Sequence, residues 1–177
     1  FCREQIAHGL STSSTLQVIA GGRDRQESVF LGLAASRGQA DDVVLIHDGV
    51  RPFVSTKVLS QCLEAAMAYG ACLTAVAAYD TLKQTGDDGR IVQTLPRDAV
   101  WMAQTPQGFR LGLIRDAHRQ ARDEGFKGTD DGQLVERLGQ AVTIVPGSRL
   151  NIKITTPEDL QLAEAIWRYA RNAPGSD

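Results

Sequence analysis

Apolar residues fall into two alternating rhythms along this chain, short runs of strand type and longer stripes at helical spacing. Val43-Val44-Leu45-Ile46 is an unbroken run, consistent with a strand buried on both faces of a parallel sheet. Before it, Leu16 to Ala20 reads as a short strand broken by Gly21-Gly22. Arg23 to Arg37 then reads as a helix with Val29, Phe30, Leu33 and Ala34 inward, stopped by Gly38. After the central run, Ser55 can cap a helix whose inner stripe is Val58, Leu59, Cys62, Leu63, Ala66 and Met67, with Gly70 as its stop. Ala71 to Tyr79 is a further strand. Trp101 to Phe109, punctuated by Pro106 and Gly108, reads as a loop or short strand. Arg110 to Glu124 is an amphipathic helix ended by Gly125. Thr129 can cap a helix whose first turn holds Asp130 and Asp131, two acids that complement a helix dipole. Ala141 to Val145 is a strand, Ile152-Lys153-Ile154 a brief apolar segment, and Thr156-Pro157 a strong helix start. That last helix runs to about Ala170.

Strand followed by helix, repeated, predicts an α/β fold with a mostly parallel sheet and right-handed crossovers. One region breaks the rule. Thr81 to Gln84 and Arg90 to Leu95 flank the polar loop Thr85-Gly86-Asp87-Asp88-Gly89, which predicts a β-hairpin. A two-stranded excursion is marginal in water by itself, so the arm at 79–100 is expected to pack on something else, most simply a second copy of the chain.

Composition narrows the partners more than the fold. The 177 residues suggest one domain, 1–171, with 172–177 a tail or the start of a linker. Net charge is −2 with no strongly basic stretch, which argues against nucleic acid but leaves a small anion open. No apolar run approaches the roughly 20 residues of a membrane span. Cys2, Cys62 and Cys72 lack metal-ligand spacing and read as thiols in a reducing, cytoplasmic compartment. Phe1 is not a Met, and the polar residues 1–15, with their Ser11–Thr15 loop, do not read as a signal peptide.

Candidate chemistry clusters after the central run. His47 and Asp48 stand at its carboxyl end, where ligands bind in open α/β sheets. Gly49 allows close approach to the backbone, and Pro52 stops the strand. Asp48 suits a divalent cation and Arg51 a phosphate; an ion pair closing the turn is an equal reading of the same two residues. Lys83, Arg97 and Lys153 are further cations at loops or strand ends. Gly21-Gly22 before a helix can aim N–H groups at an anion, but it is not the spaced glycine fingerprint of dinucleotide binders. His118, beside an inner helical face, reads as a satisfied histidine and not a ligand.

Six segments together resemble one family: G-G-R-D-R-Q-E-S-V at 21–29, H-D-G-V-R-P-F at 47–53, D-T-L-K at 80–83, T-P-Q at 105–107, T-D-D at 129–131 and N-I-K-I-T-T-P-E-D-L at 151–160. In this order they are similar to 2-C-methyl-D-erythritol 4-phosphate cytidylyltransferases of the non-mevalonate isoprenoid pathway. The resemblance implies a three-layer, Rossmann-like nucleotidyltransferase fold. It implies transfer of the cytidylyl group of CTP to methylerythritol phosphate with release of pyrophosphate, assisted by Mg²⁺ or another divalent cation. Asp48, Arg51 and Lys153 would be catalytic, with Asp48 beside the metal. Gly22, Ser28, Asp48 and Gly49 would face the nucleotide. Arg51, Thr81, Arg97, Thr105, Thr129 and Lys153 would surround the polyol phosphate. The arm at 79–100 would cross to the partner of a homodimer, so that Thr81 and Arg97 serve the neighbouring site. The family's N-terminal glycine-rich loop with its Arg and Lys has no match here, and on that ground this chain alone is expected to bind CTP poorly. Val50 stands where a smaller residue is common. Other readings are a ribitol 5-phosphate cytidylyltransferase and a non-catalytic nucleotide-binding or dimerisation domain. A fused cyclodiphosphate synthase domain could follow the tail.

Overall fold

The computed structural model describes residues 16–172; Cys2, the Ser11–Thr15 loop and the tail beyond 172 lie outside the described residues. The elements are α1 (Arg25–Ala35), β1 (Val43–Ile46), α2 (Thr56–Tyr69), β2 (Ala71–Ala77), β3 (Lys83–Thr85), β4 (Ile91–Thr94), β5 (Trp101–Arg110), α3 (Leu111–Asp123), α4 (Asp131–Arg137), β6 (Thr143–Pro146) and α5 (Pro157–Asn172). A four-stranded sheet has the order β1-β5-β2-β6. β2 and β6 pair in parallel, while β1 and β2 each pair antiparallel with β5. β1, β2 and β6 therefore share one direction, as the strand–helix alternation predicts, and the reversal is confined to β5.

Alternation along the strands divides the apolar residues between two cores. Val44, Ile46, Ala71 and Phe109 join Leu33 of α1, Ile114 and Ala117 of α3, and Leu134 and Val135 of α4 on one face. Val43, Leu45 and Cys72 meet Val58, Cys62 and Ala66 of α2 on the other. Helices on both faces give the three layers.

Local chemistry sets the helix ends. Asp24 caps α1 through the Glu27 N–H, and Ser55 caps α2 through the Val58 N–H. α4 departs from expectation: its cap is Asp130, not Thr129, with the carboxylate accepting from the Gln133 N–H at 2.9 Å. Thr129 instead donates its N–H to the Gln133 side chain.

β5 is the main departure. The stretch read as a loop or short strand is a ten-residue strand, buried from Gln104 to Phe109. Its polar residues are satisfied by partners the sequence does not reveal, so polarity there does not mean exposure. The β2–β5 register shifts between Leu73 and Ala75, opposite Pro106, which has no N–H to give. A Cβ at Gly108 would lie 3.0 Å from the Cys72 sulfur and 3.1 Å from the Cys62 carbonyl, so glycine lets β5 press against α2.

The brief apolar segment Ile152–Ile154 is irregular. Two further expectations are corrected. Leu16–Ala20 forms no strand, because its backbone has no ladder partner among the described residues. Met67 and Leu63 are 56% and 42% exposed, because α2 buries only the narrower stripe Val58, Cys62 and Ala66. The hairpin is present as β3 and β4, with Ile91 and Val92 exposed on it.

Candidate active site

The end of β1 is held by a directed set of hydrogen bonds. The Asp48 N–H donates to Thr105 Oγ1 at 3.0 Å, Thr105 Oγ1 lies 3.0 Å from His47 Nδ1, and His47 Nε2 lies 2.9 Å from the Arg51 carbonyl. A carbonyl only accepts, so His47 presents an N–H on Nε2 to Arg51, while its Nδ1 meets the Thr105 hydroxyl. Thr105 is thereby occupied on both sides, and it fixes where Asp48 sits.

Three cations converge on the Asp48 carboxylate. Arg25 Nε donates to Oδ1 at 3.1 Å, Lys153 Nζ lies 3.2 Å from Oδ2, and Arg51 Nε lies 3.5 Å from the same oxygen. Burial by itself would raise the Asp48 carboxyl, but the hydrogen bonds and charges of Arg25 and Lys153 outweigh it and hold the group below its ordinary value. Arg51 is anchored separately, its Nη1 donating to the Asn151 carbonyl at 2.8 Å. Buried Asn151 in turn donates its side-chain amide to the Thr105 carbonyl. Ile154 donates its N–H to the Val50 carbonyl at 2.9 Å, which brings the Lys153 segment beside the turn after β1. Arg51 Nε is buried without an aligned hydrogen-bond partner and faces Asp48 Oδ2 at 3.5 Å.

These groups line a cleft of about 230 Å³ with Gln104, Gln107, Thr129 and Asp130. Larger hollows of about 350 and 460 Å³ lie along α1 and α3. Size does not choose the site here, because only the smaller cleft has three cations converging at the carboxyl end of a central strand.

The structure therefore brings Asp48, Arg51, Thr105, Thr129 and Lys153 together. Gly22 and Ser28 lie apart from that lining, in the turn entering α1, where the Gly22 N–H donates to Ser28 Oγ and Ser28 Oγ donates to the Asp24 carbonyl. A Cβ at Gly22 would run into the Glu27 side chain. Gly49 is exposed with open space around it. Thr81 and Arg97 are exposed at the base of the arm, where Arg97 donates to the Tyr79 carbonyl.

Sequence reasoning missed Arg25, Gln107 and the role of Asp131. Asp131, 1% exposed, lies 2.8 Å from Arg25 Nη2 and 2.9 Å from His118 Nε2. Burial would weaken the Arg25 charge, but Asp131 and Asp48 overcome this and raise it above the ordinary arginine value. Gln107 joins β5 to α4, donating to Asp130 at 2.9 Å and accepting from the Gly132 N–H at 3.0 Å. The one available signal was the pairing of R-D-R at 23–25 with T-D-D at 129–131: opposite charges at two helix starts.

No group of three or more His, Cys, Asp or Glu side chains forms a metal cage among the described residues. Mg²⁺ commonly takes only one or two protein carboxylates and completes its ligands with substrate phosphates and water, and Asp48 is a carboxylate lining this cleft. No helix among the described residues is long and apolar enough to cross a membrane.

The model of the family "2-C-methyl-D-erythritol 4-phosphate cytidylyltransferase" matches residues 3–169. The protein of that name from Geotalea uraniireducens is 53% identical over 169 residues, covering 95% of this chain and 72% of that one. The crystal structure of 4-diphosphocytidyl-2C-methyl-D-erythritol synthase from Anaerococcus prevotii superposes with a TM-score of 0.87 at 36% identity, covering 94% of this chain and 77% of that one. The Thermus thermophilus 2-C-methyl-D-erythritol 4-phosphate cytidylyltransferase gives a TM-score of 0.77 at 42% identity, over 85% of this chain and 72% of that one.

Proposed function

This chain belongs to the 2-C-methyl-D-erythritol 4-phosphate cytidylyltransferase family, and from that premise we propose that the cleft around Asp48 is where its cytidylyl transfer takes place. The chain is a nucleotidyltransferase of isoprenoid precursor biosynthesis. An oxygen of the methylerythritol phosphate attacks the α-phosphorus of CTP. A new P–O–P linkage forms, the bond to the β-phosphate breaks, and pyrophosphate leaves with the electron pair.

Both reactants are anions, so the barrier is largely repulsion and alignment. No covalent nucleophile is needed. Lys153, on an irregular segment and 44% exposed, is the cation most free to turn from Asp48 to an incoming phosphate. Arg51, anchored on Asn151, supplies a fixed positive charge beside the phosphates. Thr129 borders the same cleft. Mg²⁺ held between Asp48 and the nucleotide phosphates would supply further neutralisation of the triphosphate. Gly22 and Ser28 face the nucleoside, with Gly49 leaving room for it. Thr81 and Arg97, absent from this cleft, act in the neighbouring site of a homodimer joined through the arm. The buried free thiols Cys62 and Cys72 support a cytoplasmic location.

The observation that carries this reading is the convergence of Arg25, Arg51 and Lys153 on one carboxylate at the end of β1. The test is pyrophosphate release from CTP with either 2-C-methyl-D-erythritol 4-phosphate or ribitol 5-phosphate as acceptor. Higher kcat/KM with the methylerythritol phosphate, lost in Asp48→Asn, is expected. A preference for ribitol 5-phosphate, or full turnover by Asp48→Asn, overturns it.

A further inference from the structure

Behind the cleft a line of charged and polar groups runs into the core. Arg25 on α1 bridges two carboxylates, with Nε on Asp48 at 3.1 Å and Nη2 near Asp131 at 2.8 Å. Asp131 at the start of α4 lies 2.9 Å, through Oδ1, from Nε2 of His118 on α3. Asp131 and His118 are each 1% exposed, so neither meets solvent or substrate directly. Side chains of three helices thus form one line, His118 to Asp131 to Arg25, whose far end holds the carboxylate of the cleft.

We infer that His118 is a positioning residue for this reaction: it locks Asp131, Asp131 locks Arg25, and Arg25 fixes the orientation of Asp48. Packing alone does not explain a histidine at this place. His118 Nδ1 is buried without a partner, a penalty that an aliphatic side chain of similar size would avoid. What the imidazole adds is one N–H on Nε2, directed at a carboxylate. The Asp131–Arg25 contact is short, yet Asp131 Oδ2 has no aligned hydrogen bond. At this end Arg25 is therefore held chiefly by charge, and an Asp131 free to rotate would release it.

The lock matters when anions enter. Lys153 is placed to turn from Asp48 toward phosphate, whereas Arg51, anchored on Asn151, and Arg25, tied at both ends, stay. Asp48 then keeps Arg25 as its hydrogen-bonded partner while Lys153 leaves, which preserves the geometry the reaction needs. This role rests on the assigned function, and its tests separate the two.

The experiment uses the full chain with His118→Leu, His118→Gln, His118→Asn, Arg25→Gln and the Arg25→Gln/His118→Leu double variant. Gln extends its amide N–H to about where Nε2 stands, whereas Asn stops short. His118→Leu is expected to lower kcat about 10-fold while KM for CTP changes less than about 2-fold. His118→Gln recovers most of the rate and His118→Asn does not, a contrast that stands even where the Leu variant fails to fold. In the Arg25→Gln background, His118→Leu has no further effect, because the lock then holds nothing. Losses that multiply, or Gln and Asn variants that match, overturn the proposal. A readout without substrate is the NMR signal of the Arg25 Nε–H, identified by its loss in Arg25→Gln. It stays sharp in His118→Gln and broadens by exchange in His118→Leu and His118→Asn; an unchanged signal in all three refutes the lock whether or not the chain turns over these substrates.

Discussion

Asp48 carries one negative charge among three positive ones, and that imbalance sets its response to pH. Its folded pKa lies below the unfolded value, so its contribution to stability is present above about pH 4 and is lost as pH falls through the folded value. Asp48→Asn removes that contribution at every pH. In urea unfolding between pH 7 and pH 2.5, the gap between wild type and Asp48→Asn is expected to be widest near neutrality and to narrow below about pH 4; a gap that widens with acid contradicts the assigned geometry. Lys153 tests the catalytic side. Lys153→Met keeps the aliphatic stem and removes the ammonium, and kcat is expected to fall about 10²-fold in the pyrophosphate-release assay, with melting temperature nearly unchanged because the pair is partly solvated. The residues themselves pointed to Asp48 and Arg51, in a glycine- and proline-marked turn at a strand end, whereas Lys153 was set apart from Lys83 and Arg97 only by the family resemblance. The sequence did not point to Arg25 and Asp131, because each alone looks like ordinary helix-end chemistry. Their partnership arises only where the starts of α1 and α4 meet.

The helices were legible because their signals are local: a capping side chain, an apolar stripe, a glycine stop. Gly70 and Gly139, with φ of 87° and 73°, take the left-handed backbone that such a stop requires. β5 was not legible, because its burial depends on partners distant in sequence. Gln107 is the clearest example. Its amide spans β5 and the first turn of α4, so a polar residue fills a core position without an unpaired group. Gln107→Leu would leave the Gly132 N–H buried and unpartnered and would remove a donor from Asp130. The expected loss is about 1–3 kcal/mol in the unfolding free energy. Because α4 also carries Asp131, kcat is expected to fall with it. Denaturant unfolding and turnover measured on the same preparation check both; a variant as stable as wild type removes the claim that Gln107 fastens α4 to the sheet.

At the scale of the molecule, the feature that stands apart is the arm. β3 and β4 extend away from both cores, and Ile91 and Val92 are 62% and 67% exposed. Thr81 and Arg97 sit at its base, outside the lining of the Asp48 cleft. Charged substitution on the arm, Ile91→Asp with Val92→Asp, is expected to shift sedimentation from the proposed dimer to monomer, with turnover falling alongside. A sharper test exploits the division of one site between two chains. Asp48→Asn disables the cleft but leaves its own Arg97 intact, and Arg97→Ala does the reverse. If Arg97 serves the neighbour, a mixed dimer has one site lacking both groups and one site wholly native. Equal amounts of the two variants, exchanged at random, put half the molecules in mixed dimers and restore about a quarter of wild-type turnover. If Arg97 acts within its own chain, every site in the mixture lacks one group and no turnover returns. The outcome distinguishes an arm that completes a neighbour's site from one that only holds two independent copies together.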